Sequence, residues 1–330
     1  MTDKPILCAL AGETQARPPI WLMRQAGRHL PEYRKVRAEA GGFLNLVCDS
    51  ERAAEVTLQP VRRYGMDGSI LFSDILVIPW ALGQDLWFET GEGPKLGELP
   101  TQLDLDMNVL SPIFETLGLL KSALADTKVT QLGFVGAPWT VATYMIEQGK
   151  PKFQASRDFL ETDQAKALFR TLINATIAYA KAQVAAGAEV IKIFDSWAGE
   201  LAGDQLKRWS LDPMIEIGAA LAPTPVIYFP RNSKGALAYL RDQVSTPFGF
   251  ALGEKASLTR ARDLAGPDIC LQGNLGPSAL LGPAKEQEQQ VAQILDQVRD
   301  TPHIFNLGHG VDKTTDPARV QALVDQVKAG

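Results

Sequence analysis

The sequence DQAKALFRTLINATIAYAKAQVAAG (residues 163–187), with EVIKIF close behind it (residues 189–194), contains the clearest helix and strand signals in the chain. Within the first stretch, residues able to form one buried face recur three or four positions apart, at Ala165, Leu168, Leu172, Thr176, Ala180 and Val184. This spacing predicts a helix, which Gly187 ends. The second stretch is short and mostly apolar, as expected of a strand that is buried on both faces.

Further strand-like runs occur at residues 20–23, 69–73, 131–135, 225–229, 247–252, 269–272 and 303–306. Helical patterns follow at residues 50–65, 109–125, 201–222, 287–299 and 316–328. Because strand and helix alternate, the strands are expected to be parallel. An open doubly wound α/β sheet would show the same alternation, but eight units without a linker favour a single-domain (β/α)8 barrel over residues 1–330. Residues 79–108, rich in glycine and turn-forming residues, are predicted to form a lid-like insertion.

The overall charge and the absence of targeting patterns limit the possible partners. The chain has 330 residues, of which 45% are hydrophobic, and a formal net charge of −5. This negative balance argues against general binding of nucleic acid or of an anionic membrane, since both reward a basic surface. Residues 1–11 lack a basic segment followed by a long apolar run, and no stretch approaches the roughly 18 apolar residues that span a bilayer. A cytoplasmic location is therefore expected.

Side chains that follow the strand-like runs are the candidates for chemistry, because active sites of such barrels lie at the carboxyl ends of the strands. Arg24 and Arg28 follow the first run, and Arg34 and Arg37 come shortly after. Arginine suits carboxylates and phosphates. Arg34 and Arg37 fit a solvated helix face equally well. Arg24 ends an apolar run, where we expect a buried guanidinium that requires an anion.

Asp74 and His309 are the next candidates. Asp74 has apolar neighbours on both sides, so its carboxylate needs hydrogen-bond donors, although capping a helix or pairing with an internal arginine would also explain it. His309 lies between two glycines after the last run, which suggests close approach of a ligand, while a histidine that only satisfies a turn is the alternative. Tyr144 and Ser196 are ordinary polar residues on their own evidence.

Patterns typical of metal or phosphate sites are missing from the sequence. Cys8, Cys48 and Cys270 are far apart and form no C-x-x-C or H-x-C arrangement, so they are expected to be reduced structural thiols. The sequence contains no H-E-x-x-H motif, no phosphate loop and no G-x-S-x-G motif. Neither a metal nor a cofactor is therefore predicted.

Two longer segments resemble the signature patterns of a known family. The segments are PPIWLMRQAGRHLPEYR (residues 18–34) and GFVGAPWTVATYMIE (residues 133–147), and they resemble the uroporphyrinogen decarboxylase family. Shorter matches to the same family are FSDIL (residues 72–76), FDSWAG (residues 194–199) and NLGHG (residues 306–310). The resemblance runs nearly the whole length of the chain, although this chain has Trp197 where many relatives have histidine or other residues.

This resemblance implies a (β/α)8 barrel, usually a homodimer, that needs no cofactor and acts on a tetrapyrrole, uroporphyrinogen III. Its acetate side chains would become methyl groups, giving coproporphyrinogen III. The resemblance implies that Asp74 and Arg24 are catalytic. It implies a substrate-binding set of Arg24, Gln25, Ala26, Gly27, Arg28, Arg37, Asp74, Tyr144, Ser196 and His309. A protonated pyrrole can serve as its own electron sink, whereas most decarboxylases borrow one from a cofactor.

Two alternatives from other classes share parts of this pattern. A zinc-dependent corrinoid methyltransferase of the same superfamily would share the barrel but would need thiolate and imidazole ligands for the metal. A noncatalytic tetrapyrrole carrier would keep the arginines but would not need Asp74. Turnover by the purified protein separates the carrier from an enzyme.

Overall fold

The computed structural model describes residues 3–89, 93–149 and 151–330. Its main sheet is parallel, and its strands lie in the order β1-β4-β5-β6-β7-β8-β9. The strands of this sheet are β1 (Gly68–Ile70), β4 (Thr130–Gly136), β5 (Val190–Asp195), β6 (Val226–Pro230), β7 (Phe248–Ala251), β8 (Cys270–Leu275) and β9 (His303–Leu307). A separate antiparallel pair joins β2 (Leu86–Glu89) to β3 (Gly93–Leu96). The prediction of an α/β protein with parallel strands is confirmed.

Helices follow the strands and cover the outer face of the sheet. The helices are α1 (Pro5–Leu10), α2 (Pro31–Glu39), α3 (Phe43–Val47), α4 (Ser50–Tyr64), α5 (Val77–Ala81), α6 (Ser111–Ala123), α7 (Pro138–Glu147), α8 (Gln154–Leu160), α9 (Asp163–Ala186), α10 (Gly203–Leu206), α11 (Asp212–Ala220), α12 (Ala236–Gln243), α13 (Leu258–Ala265), α14 (Ala284–Val298) and α15 (Pro317–Ala329). Local sequence explains their ends. The Asp49 side chain caps α4, and Gly65, with φ 66°, ends it in the left-handed conformation.

The first predicted strand, residues 20–23, is wrong as a strand. Only Ile20 forms a parallel bridge, to Phe305 in β9. The backbone N–H of Phe305 donates to the carbonyl of Pro19 at 2.8 Å, and the N–H of Asp67 donates to the carbonyl of Ile20 at 2.8 Å. The segment thus lies between β9 and the start of β1. It departs from strand geometry because the N–H of Met23 donates to a side chain, Oδ1 of Asn306, instead of to a neighbouring strand.

The predicted helix over residues 201–222 is present from Gly203 to Ala220, with a π-helical turn inside it. Its beginning forms the short helix α10, residues Lys207–Leu211 form a π-helical turn, and α11 then starts at Asp212. Pro213 follows this turn closely and lies inside the continuous helical run. The π-helical turn widens the backbone before that point and brings Ser210 inward, toward the end of β5.

Residues 79–108, predicted to be a lid, contain the end of α5 and the β2–β3 hairpin. Leu86 and Leu96 of the hairpin are buried in the main hydrophobic core. Residues 90–92 of this segment lie outside the described residues. Its function as a lid stays a prediction. Across the described ranges, none of the helices has the length and apolar character needed to cross a membrane.

The inward face of the sheet carries a second hydrophobic cluster, separate from the core beneath the helices. Side chains of α1, among them Ile6 and Leu10, pack into it together with Trp21 and Phe229. Lys192 of β5 lies here, with none of its surface exposed. Its Nζ lies 3.6 Å from Sδ of Met23 and 4.7–5.0 Å from the ring centroids of Trp21, Phe194 and Phe229.

Replacing Lys192 by methionine is expected to stabilise the protein. Burial lowers the pKa of Lys192 well below 10.5, although the aromatic faces partly favour the cation. The unfolded chain therefore holds the proton of this amine more tightly than the folded chain does, and this lowers the stability of the folded wild type below about pH 10.5. We expect Lys192→Met to raise the free energy of unfolding by about 1–3 kcal/mol, the usual cost of one uncompensated buried polar group.

Urea unfolding at several pH values measures this effect. Because the proton difference disappears as the pH rises toward 10.5, the gain should shrink over that range. The exposed Lys181 on α9 supplies a matched control, since Lys181→Met removes the same group without relieving burial. A Lys192→Met protein no more stable than the wild type at neutral pH would show that the aromatic faces fully compensate the buried amine.

Candidate active site

Arg24 lies at the carboxyl end of the sheet, where the chain leaves the pairing with β9. Its backbone adopts φ 61°, which is uncommon outside glycine, and the N–H of Val311 donates to the carbonyl of Met23 just before it. The side chain runs across Gly310, where a Cβ atom would lie 2.3 Å from Cδ of Arg24. Gly310 is therefore required for close approach. The guanidinium is exposed, so the expectation of a buried arginine is wrong.

Asp74 lies in the turn between β1 and α5. The N–H of Leu76 donates to its Oδ1 at 2.9 Å, which leaves the carboxylate with further acceptor capacity. Burial among apolar groups raises the pKa of Asp74 to about 6, while the N–H groups of Leu76 and Ile75 and the charge of Arg24 oppose the rise. The carboxyl is thus ionised at neutral pH with a pKa close to the working range of a catalyst.

Tyr144 and His309 complete a group around Arg24 and Asp74. Burial raises the pKa of the Tyr144 hydroxyl; the charge of Asp74 adds to the rise and that of Arg24 opposes it. Burial, together with the charges of Arg231 and Arg24, lowers the pKa of His309 to about 4. His309 is therefore neutral at neutral pH and offers a hydrogen bond instead of a positive charge. Arg24 thus lies close enough to act electrostatically on Asp74, Tyr144 and His309, which come from distant parts of the chain.

The other two predicted arginines lie beside Tyr33 of α2. Burial raises the pKa of the Tyr33 hydroxyl, and the charges of Arg37 and Arg28 both oppose that rise. The guanidinium of Arg37 lies 5.9 Å from the centroid of the Phe43 ring, while Arg28 is exposed. Arg34, in contrast, donates to the carbonyl of Arg28 at 2.8 Å and holds its own loop. The structure therefore separates the two arginines facing Tyr33 from the structural Arg34.

Three predicted substrate contacts lie in the turn after Arg24, but the Gln25 side chain is used internally. Its Oε1 accepts from the N–H of Leu22 at 3.0 Å, and its Nε2 donates to the carbonyl of Gly68 at 2.9 Å. The amide thus ties the turn to the start of β1. Ala26 and Gly27 are partly exposed, and a Cβ atom on Gly27 would lie 2.7 Å from the carbonyl oxygen of Arg24. Substrate contacts in this turn can come from the backbone.

Ser196, the remaining predicted contact, is partly exposed in the turn after β5. The next residue, Trp197, has its ring centroid 6.2 Å from that of Tyr144, so the two predicted residues belong to neighbouring parts of the rim. Arg231, which follows β6, is not among the predicted site residues, although its position directly after a strand is a signal that could have identified it. Its charge acts on His309, so Arg231 is the second arginine, after Arg24, that lies near this histidine.

Groups of three or more His, Cys, Asp or Glu side chains arranged to hold a metal ion do not occur within residues 3–89, 93–149 and 151–330. Cys270 is buried in the inward cluster, where burial raises the pKa of its thiol to about 12. A thiol in that state is a poor metal ligand, since the thiolate is the binding form.

The sequence model of uroporphyrinogen decarboxylase (URO-D) matches residues 1–330. The chain belongs to the uroporphyrinogen decarboxylase family. Among relatives in this family, the uroporphyrinogen decarboxylase of Roseobacter denitrificans is 46% identical, with 98% of both chains covered. That of Rhodospirillum rubrum is 45% identical, covering 99% of this chain and 98% of the relative. The family model therefore spans the whole of the candidate site.

Solved structures show the same fold at lower identity. A methyltransferase from Methanosarcina mazei superposes with a TM-score of 0.79 at 20% identity, covering 100% of this chain and 99% of its own. A B12-independent methionine synthase from Shewanella gives a TM-score of 0.56 at 11% identity over 85% of this chain and 86% of its own. At these identities the likeness concerns the fold, which members of the uroporphyrinogen decarboxylase family share with proteins of other activities.

Proposed function

We propose that this chain is a uroporphyrinogen decarboxylase, a carboxy-lyase of haem and tetrapyrrole biosynthesis. It converts the four acetate side chains of uroporphyrinogen III to methyl groups and gives coproporphyrinogen III. The observation that carries the proposal is the ionised Asp74 carboxylate near Arg24 and Tyr144, with His309 near the same arginine, in a chain that belongs to this family. The substrate has many carboxylates and inward-pointing pyrrole N–H groups, which match arginines around one carboxylate acceptor.

The chemistry requires an electron sink, and the pyrrole ring supplies it. Protonation of the ring carbon next to the one that bears the acetate makes the pyrrole cationic. The bond between the acetate methylene and its carboxyl carbon then breaks, and its electron pair passes through the ring toward the nitrogen as carbon dioxide leaves. A second proton converts the exocyclic methylene to a methyl group, and loss of the first proton restores the aromatic pyrrole. One proton is consumed for each carbon dioxide released.

The residues of the site stabilise the charged states of this reaction electrostatically. Asp74 accepts hydrogen bonds from pyrrole N–H groups and opposes the positive charge that develops on the ring. Arg24, Arg28 and Arg37 bind acetate and propionate carboxylates, and the neutral His309 donates a hydrogen bond. Arg24 also orients the reacting acetate, because it is the arginine whose charge acts on Asp74.

We further propose that residues 1–330 form one catalytic domain, and that the sheet closes into a (β/α)8 barrel in which residues 19–21 occupy the position of the eighth strand. The hydrogen bonds of Pro19 and Ile20 to Phe305 and Asp67, on either side, support this closure. In a closed barrel the side chains after each strand converge at one mouth, which is the arrangement that a macrocyclic substrate requires.

The alternative functions lack support from specific residues. A zinc-dependent methyltransferase requires thiolate and imidazole ligands, yet Cys270 faces the inward cluster and His309 lies among arginines. A noncatalytic carrier would not require a carboxylate kept in apolar surroundings at Asp74. Both alternatives are therefore less favoured than the decarboxylase.

The direct test is anaerobic incubation of the purified protein with uroporphyrinogen III. Chromatography of the esterified products counts the carboxyl groups that remain at each time. We expect them to fall from eight to four while carbon dioxide is released, and heat-inactivated protein serves as the control. A product that retains all eight carboxyl groups would contradict the proposed function, and stoichiometric binding without turnover would favour the carrier.

Activity is expected to survive exhaustive chelation and desalting, because the substrate ring provides the electron sink that a cofactor would otherwise supply. Decarboxylation by the treated and untreated protein is compared at equal concentration, before and after adding back divalent metals. Turnover that disappears on chelation and returns with one metal ion would contradict this cofactor-free mechanism.

A cytoplasmic location and a homodimeric state are proposed from the family resemblance and from the sequence. Sedimentation velocity of the purified protein over a range of concentrations tests the homodimer. Fractionation of the producing cells tests the location. Neither outcome alters the chemistry proposed for the site.

A further inference from the structure

Asp195 ends β5 one residue before the predicted site residue Ser196. Its side chain has none of its surface exposed, and both carboxylate oxygens accept short hydrogen bonds. The hydroxyl of Thr140 donates to Oδ1 at 2.6 Å, and the hydroxyl of Ser210 donates to Oδ2 at 2.6 Å. Both partners are themselves fully buried. Burial raises the pKa of Asp195 to about 6, while the bonds from Ser210 and Thr140 oppose the rise.

These bonds join three separate parts of the chain that surround the candidate site. Thr140 lies on α7, Asp195 on β5, and Ser210 in the π-helical turn of residues Lys207–Leu211. The Thr140 hydroxyl also accepts from the N–H of Trp197 at 3.1 Å. Since one hydroxyl donates a single proton, its donation to Asp195 leaves its oxygen oriented to receive that N–H.

The consequence is that the turn containing Ser196 is fastened to α7. The indole N–H of Trp139 donates to the carbonyl of Trp197 at 2.8 Å, so the same turn is held by a second bond from α7. Thr140 and Tyr144 are one helical turn apart and therefore share a face of α7. The position of the Tyr144 hydroxyl and that of Ser196 are thus set relative to one another through Thr140 and Asp195.

The backbone of Asp195 extends this arrangement to the next strand. Its carbonyl accepts from the N–H of Arg231 at 3.0 Å, and the carbonyl of Arg231 accepts from Gly199 at 3.1 Å. Arg231 is one of the two arginines whose charge lowers the pKa of His309. Three residues at the mouth of the sheet, Tyr144, Ser196 and Arg231, are therefore connected to one buried carboxylate that cannot itself contact substrate.

We propose that Asp195 is a positioning residue for the decarboxylation, acting through Thr140 to hold Tyr144 and the Ser196 turn at their working distance. The proposal rests on the proposed function. If Asp195 were purely structural, replacing it would lower the stability of the fold and leave the activity of the folded molecules unchanged. A positioning residue changes the kinetics of molecules that remain folded, because small displacements of binding groups weaken catalysis strongly.

Two pairs of variants test the proposal by steady-state kinetics with uroporphyrinogen III and by thermal melting. Asp195→Ala removes both acceptors, and kcat/KM is expected to fall roughly tenfold or more, mainly through KM. Asp195→Asn is the conservative partner. Its amide oxygen can still accept from Thr140 while its NH2 donates to Ser210, whose hydroxyl can turn to accept. This variant is expected to recover most of the loss.

The second pair keeps the test decisive if Asp195→Ala fails to fold. Thr140→Val preserves the shape of the side chain but removes the hydroxyl, so the bond from the Trp197 N–H to Thr140 is lost. Thr140→Ser keeps that hydroxyl. We expect Thr140→Val to lower kcat/KM roughly tenfold and Thr140→Ser to restore it to within about twofold of the wild type.

The outcomes separate the two proposals. An inactive wild-type protein would contradict the proposed function itself. An active wild type, with Asp195→Ala or Thr140→Val showing lower melting temperatures but normal kcat and KM, would overturn the positioning role alone. Loss in Thr140→Val that Thr140→Ser does not recover would also overturn it, because the hydroxyl would then not be the connecting group.

Discussion

Replacing Asp74 by asparagine is expected to reduce turnover on the order of 100-fold or more, roughly 3 kcal/mol or above, while substrate binding is largely kept. Asparagine retains the size and one acceptor, so the N–H of Leu76 keeps its partner. The negative charge that opposes the cationic pyrrole is lost. Steady-state kinetics with uroporphyrinogen III, together with thermal melting of the same preparation, measure the effect.

Asp74→Glu and the pH profile provide the controls. Glutamate keeps the charge but moves it by about one methylene into the space of the macrocycle, so binding and turnover should decline together. In the wild type, protonation of Asp74 should lower kcat/KM as the pH falls through about 6, and Asp74→Asn should lose this limb. If Asp74→Asn has the kcat of the wild type and only its melting temperature is lower, the role of Asp74 is structural and not catalytic.

Replacing Arg24 by alanine should lower kcat/KM about 10- to 100-fold, the scale of one charge-assisted hydrogen bond of about 1.5–3 kcal/mol. The guanidinium is exposed without substrate, and the macrocycle would remove it from water when bound. Arg24 also lowers the pKa of Asp74, so the acidic limb of the Arg24→Ala profile should move to higher pH. Kinetics over a range of pH values measures both effects.

Other arginines calibrate this result. Arg28→Ala and Arg37→Ala should also lower kcat/KM. The charges of these two arginines affect the pKa of Tyr33 and not that of Asp74, so the acidic limb should not move. Arg299 is exposed at the end of α14, where its Nη2 lies 3.5 Å from Oδ1 of Asp296. Arg299→Ala is therefore a matched control that should leave kcat and KM unchanged. If kcat/KM and its pH profile are unchanged in Arg24→Ala, Arg24 is an ordinary solvated surface residue with no part in the reaction.

The order of the elements could be predicted because most of the sheet is encoded locally. Strands β4 to β9 are short apolar runs buried on both faces, and the repeating spacing in α9 marks one packed surface. The segment at residues 20–23 could not be distinguished from these strands by its apolar character. Its geometry depends on the side chain of Asn306, which lies far away in sequence.

The candidate site could be predicted in part for a similar reason. Parallel strands end at the same edge, so residues that follow them, such as Asp74 and His309, converge whatever the details of packing. The internal use of the Gln25 amide and the bonds of Asp195 with Thr140 depend on contacts across the sheet. No local pattern encodes such partners, and they could be identified only in three dimensions.

The bond from Met23 to Asn306 joins residues 283 positions apart, and this separation has a consequence for protein synthesis. The ribosome releases the segment that carries Arg24 long before strand β9 exists, because domains emerge from their N-terminal end. During most of translation the backbone of Pro19 and Trp21 therefore has no Phe305 to pair with. The candidate site therefore cannot form strand by strand on the nascent chain. The site is complete only after β9 and Gly310 have left the exit tunnel, so a chain that ends before β9 lacks the contacts that hold Pro19, Trp21 and Met23.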